Sequence, residues 1–118
     1  MVEVKLPDFS DMMSVVNQIS NLAIEKAKLE IQIKAEEANI YYTVTSDSKY
    51  FQNGKAPSVA FVEKTWGFAG LQGELLPLRE RLATISAKLD GCKLEYDSMK
   101  MAIDIWRTAS ANERSATL

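Results

Sequence analysis

Histidine is absent from this 118-residue chain, which removes the commonest general base and metal ligand from any chemistry it could perform. Cysteine occurs once, at Cys92, so no intrachain disulfide and no cysteine-based zinc site is available. No apolar run is long enough to span a bilayer, and the opening MVEVKLPDFSDMM lacks the basic-then-apolar order of a secretory leader. An excess of one sign of charge is lacking: 14 Lys and Arg face 16 Asp and Glu, and the net of -2 gives no bulk attraction to nucleic acid or anionic lipid. Strand patterns are nearly missing, with YYTVT at 41–45 the single short candidate. The adjacent carboxylates Glu36 and Glu37 would point about 100° apart on a helix, so they do not converge on a metal. GFAGLQG at 67–73 has glycines but no Lys-Ser/Thr, so it is no phosphate loop; its glycines are read as permitting close helix approach. A cytosolic protein without enzymatic activity, metal or cofactor is the expectation.

What the chain does have is helical rhythm. Met12, Val15, Ile19, Leu22, Leu29, Ile33 and Ile40 fall on alternating steps of three and four once Lys26 and Glu36 fill two polar slots. Pro7 and Asp8, with Ser10 and Asp11 close behind, supply start signals, predicting a helix over 8–42. A second stripe, Ile24, Ala27, Ile31, Ala35, Ala38 and Tyr42, runs along a neighbouring face and asks for a wider partner than one helix. After a loop at 43–57, Pro57 and Ser58 offer a new start. From there the seam reads Phe61, Lys64, Phe68, Leu71, Leu75, Leu78, Leu82, Ile85, Leu89, Cys92, Tyr96, Met99, Ile103 and Trp106. Pro77 inside it costs a backbone hydrogen bond, so a kink or break is expected there. Either 58–75 is a separate short helix or one kinked helix runs over 58–108; because the phase survives the proline, the kinked helix is favoured, followed by a frayed tail at 109–118. The predicted fold is all-α: a single domain forming a long antiparallel helical hairpin with coiled-coil-like seams. Leu78, Leu82, Ile85, Leu89, Tyr96, Met99, Ile103 and Trp106 are the candidate oligomerisation residues.

Seven of the ten aromatic residues lie between 41 and 68, interleaved with lysines. Rings plus spaced cations are what single-stranded nucleic acid needs, since bases stack on the rings while ammonium groups offset phosphate. The competing reading is a small core closing the hairpin end, which suits Phe61 and Phe68 on the seam. Tyr50 and Phe51 lie on neither seam, and both readings stay open for them. The candidate strand-contacting set is Lys34, Tyr41, Tyr42, Lys49, Tyr50, Phe51 and Lys55. Residues 41–68 hold three lysines against Asp47 and Glu63, so one protomer would bind weakly and only an oligomer would gain avidity. The charges of the second helix, Arg79, Arg81, Lys88, Lys93, Lys100 and Arg107 among acidic residues, are read as a solvated face.

AEEANIYY, the polar loop with scattered aromatics and lysines, the leucine-spaced helix and the closing YDSMKMAIDIWRTAS together resemble the UvsY recombination-mediator family of tailed myophages. The resemblance covers roughly residues 29 to 108. It implies an oligomeric ring in the host cytoplasm that binds single-stranded DNA and helps load a phage recombinase while displacing the single-strand-binding protein. This chain departs from the family in placing Glu36 and Glu37, rather than basic residues, before the tyrosine pair. A helical protein-interaction module, such as an adaptor or a phage inhibitor of a host enzyme, is the alternative from another class.

Overall fold

The computed structural model describes residues 6–117. The first five residues of the stretch read for leader features, and Leu118 of the tail, lie outside the described residues. Among those described, the chain is all-helical: α1 (Phe9–Ser46), a 3-10 turn (Ser48–Tyr50), α2 (Val59–Trp66) and α3 (Leu75–Thr117). No helix among them is long and apolar enough to cross a membrane.

The side chains covered along α1 are those on the three-four rhythm. Val15, Leu29, Ile33 and Ile40 are buried, and Met12, Ile19, Leu22, Lys26 and Glu36 are half-buried. The second stripe is left out: Ile24, Ala27, Ile31, Ala35, Ala38 and Tyr42 are all exposed. The chain divides into two compact units, each taking a segment of α1 and of α3. Unit 1 pairs α1 up to Ile24 with α3 from Ser86 onward. There the helices run antiparallel, with Cys92 Sγ at 3.5 Å from Gln18 Oε1.

Unit 2, Glu25–Ile85, adds α2 and both connecting loops to its helix pair. Its core is Ile40 and Val44 of α1, Val62 of α2 and Leu75 of α3, with Tyr50, Trp66, Leu71 and Leu78 packed against it. Val44 and Leu75 are fully buried. Three helices converge here, so each residue is covered from more than one side, which a two-helix contact does not provide.

Four features differ from the sequence reading, each for a local reason. α1 continues past residue 42 to Ser46 because Val44 is anchored in the core. Within this extension the hydroxyls of Thr43 and Thr45 donate to the carbonyls of Asn39 and Tyr41, at 2.8 and 2.7 Å, so their polar groups are satisfied inside the helix. The favoured single helix over 58–108 is interrupted, and the interruption lies at 67–74 rather than at Pro77. Gly70 and Gly73 have φ of +91° and +79°, a region that L side chains rarely adopt. A Cβ on Gly70 would also meet the Glu74 carboxylate. That carboxylate accepts from the N–H groups of Leu71 at 2.9 Å and Gln72 at 2.7 Å, turning the backbone away from helix. The glycines therefore shape a turn rather than a close helix contact. Pro77 is the third residue of α3, where a backbone N–H has no partner four residues earlier, so it disturbs nothing.

Phe68, expected in a core on the strength of the rhythm, stands 69% exposed beyond the end of α2, where helical spacing no longer orders it. The tail expected to fray stays helical through Thr117; it contains no glycine or proline, and its alanines, Glu113 and Arg114 favour helix.

Candidate functional site

Ser58 begins the site. Its Oγ accepts from Phe61 N–H at 3.2 Å and caps α2, which sets the helix against the last turns of α1. On α2 the spacing of Val59, Val62 and Trp66 puts all three on one side, with Val62 buried, Trp66 half-buried and Val59 exposed. Between this side and α1 lies an open groove of about 770 Å³. Ala38, Ile40 and Tyr41 of α1 line one wall, and Val59, Val62 and Trp66 line the other. Lys34, Glu37 and Glu63 add the charged groups to the lining.

The groove's shape is held by two devices. Trp66 is gripped edge-on by Tyr50, with ring centroids 5.6 Å apart, and by Phe61 at 5.7 Å. Arg79 of α3 supplies the second. Its Nε donates to Phe68 O at 2.8 Å, and one terminal nitrogen donates to Gly67 O at 2.6 Å and Glu37 Oε1 at 2.9 Å. One guanidinium thus ties α1, the end of α2 and α3 together, and it lies 5.3 Å from the Phe68 ring centre. Read from sequence as one of a solvated row, Arg79 is a tertiary staple.

The seven strand-contacting candidates do not form one surface. Lys34 and Tyr41 meet at the groove. Tyr42, 72% exposed, lies about 100° around α1 from Tyr41 and is absent from the groove lining. Tyr50 is half-buried with its ring spent on Trp66. Phe51 is half-buried. Lys49 sits 5.0 Å over the Tyr50 ring and 3.8 Å from Asp47 Oδ2. Lys55 is exposed at the end of a tight turn, where Gln52 and Lys55 exchange backbone hydrogen bonds of 2.9 and 3.0 Å around Asn53 and Gly54, both at positive φ. Of the oligomerisation candidates, Ile85 and Leu89 are buried within the single chain. Leu78, Leu82, Tyr96, Met99 and Ile103 are half-buried, and Trp106 is exposed.

Sequence reasoning missed α2's contribution to the groove. The signal was present in Ser58 as a cap followed by apolar residues one, four and eight positions on, but the longer rhythm through Phe61 and Phe68 masked it. No local signal marks Arg79, because its partners lie 11, 12 and 42 residues away.

The fold and groove define an all-helical chain, among its described residues, with an apolar cleft between α1 and α2. No protein-family model, curated protein or solved structure matches it.

Proposed function

We propose that the chain is a non-enzymatic helical interaction module whose α1–α2 groove docks an amphipathic segment of a protein partner. One observation carries this reading: Val59, Tyr41 and Trp66 present apolar surface along an open cleft instead of closing over it. Helix-in-groove recognition uses such a cleft, taking apolar anchors at spacings of three and four. Exposed charges on either wall, Lys34 and Glu63, would orient the guest. The test uses a helical peptide of leucine and lysine titrated against the Trp106→Phe chain, in which Trp66 is the sole tryptophan. A saturable change in Trp66 emission, lost on Val59→Glu, is expected; a flat titration overturns the reading.

The second reading is the oligomeric recombination accessory that binds single-stranded DNA and acts with a recombinase and a single-strand-binding protein. In its favour, Lys34 is exposed beside Tyr41, and Lys34 and Lys55 make no ion pair among the described residues. Against it, two carboxylates, Glu37 and Glu63, share the same lining, and the Tyr50 ring already has a partner. Anisotropy of a labelled single-stranded oligonucleotide at low salt separates the two. Saturable binding that weakens on Tyr41→Ala would replace the first reading with the second; no binding would remove the second. In either reading the protein works in the cytoplasm.

A further inference from the structure

The face of α1 that unit 2 leaves uncovered has an order of its own. Ala27, Ile31, Ala35, Ala38 and Tyr42 recur at steps of three and four and are exposed, Ile31 by 68%. At 3.6 residues per turn they lie away from the buried Leu29, Ile33 and Ile40. Ile31 and Tyr42 are the large side chains on this face, with alanines at the other three positions. One edge carries Glu30 and Lys34, both exposed and neither in an ion pair among the described residues. The other edge carries Lys28, Gln32 and Asn39.

We infer that a second copy of this chain packs here, the two α1 helices antiparallel across a two-fold axis near residues 32–33. A two-fold contact is self-complementary, so each pairing occurs twice. Positions whose numbers sum to about 65 then face one another. Ala27 comes opposite Ala38 of the second copy, and Ile31 comes opposite Ala35. Antiparallel packing about this axis brings like edges together, so Glu30 meets Lys34 of the second copy and Lys34 meets Glu30. On the other edge Lys28 meets neutral Asn39, so no like charges oppose. A parallel pair would instead stack each residue on its own copy, Ile31 on Ile31 and alanine on alanine. The antiparallel register seats Ile31 against Ala35, while the Ala27–Ala38 layer brings two small residues together. The α3 seam is less free for this role, since Ile85 and Leu89 are already buried in one chain. Ala38 and Lys34 also line the α1–α2 groove, so the contact adjoins the groove but uses none of Val59, Val62 or Trp66 of α2.

Light scattering of the full chain at micromolar concentration tests it. Twice the 13.2 kDa of one chain is expected. Ile31→Glu, at an exposed position, should give a monomer with unchanged helical circular dichroism. Lys34→Glu should weaken association by about tenfold or more, and adding Glu30→Lys to it should restore the dimer. Orientation is read in a Cys92→Ser chain, whose helicity is checked first. Mixed Ala27→Cys and Ala38→Cys copies should form a disulfide-linked dimer that neither copy forms alone. A monomer throughout, or a dimer indifferent to both Ile31→Glu and Lys34→Glu, overturns the surface. Self-linking of Ala27→Cys copies overturns the antiparallel arrangement.

Discussion

Units 1 and 2 draw on the same two helices, yet they are closed to different degrees. In unit 1 the rhythmic positions of α3 beyond Leu89, namely Cys92, Tyr96, Met99 and Ile103, stay half-buried, and Trp106 is exposed. In unit 2 the addition of α2 and its flanking loops covers Val44 and Leu75 completely. Two helices side by side cover one stripe on each and leave its margins wet. A third element laid across their end supplies the missing side, and it also creates the cleft with its fixed Trp66. The part of the molecule with the best-enclosed core is therefore the part with a candidate site.

The largest expected effect strikes that enclosure. Leu75→Ala removes a fully buried side chain at the junction of three helices and should cost about 2–5 kcal/mol by denaturant unfolding. A cost below 1 kcal/mol would mean the junction is not where stability resides. Arg79→Met comes next. It keeps the aliphatic stem but loses the donors to Gly67, Phe68 and Glu37, and about 1–3 kcal/mol is expected from a partly exposed charged donor. The same variant should alter Trp66 emission, because the end of α2 is no longer tied.

Glu74 sharpens the comparison through pH. Backbone N–H donation from Gln72, then from Glu74 itself and Leu71, holds its carboxyl below the usual 4.5. Its folded pKa is thus lower than its unfolded one, so it contributes stability that is present above the unfolded value. That contribution is lost as pH falls through the folded value. The stability gap between the wild type and Glu74→Gln should be constant near neutrality and close as the solution is acidified below 4.5. A gap that survives there would assign the effect to something other than the charge. The smallest effect belongs to unit 1: Leu94, 67% exposed, should change stability by less than about 0.5 kcal/mol on conversion to alanine.

Much of the architecture was legible before any coordinates. All-helical character follows from the spacing of apolar residues, and the α1 rhythm singled out Val15, Leu29, Ile33 and Ile40, which are buried. The break at 67–74 was hidden because Phe61, Phe68, Leu71 and Leu75 keep perfect step across it. Spacing reports phase and is blind to the backbone at Gly70 and Gly73, where positive φ ends the helix. The site was legible in part. Lys34 and Tyr41, named as strand contacts, both line the groove, but the adjacency of Tyr41 and Tyr42 in sequence says nothing of the turn that separates them on a helix. The Tyr50 ring went to the core because Trp66, sixteen residues on, offers it an edge-on partner, a pairing with no local signature.

Site-resolved amide hydrogen exchange tests most directly whether the three-helix junction is the stable, site-bearing part of the chain. The amides of Val44, Val62, Leu75, Leu78 and Arg79 should exchange most slowly, and those of α3 beyond Leu94 should open first. Equal or longer protection in α3 beyond Leu94 would contradict the account.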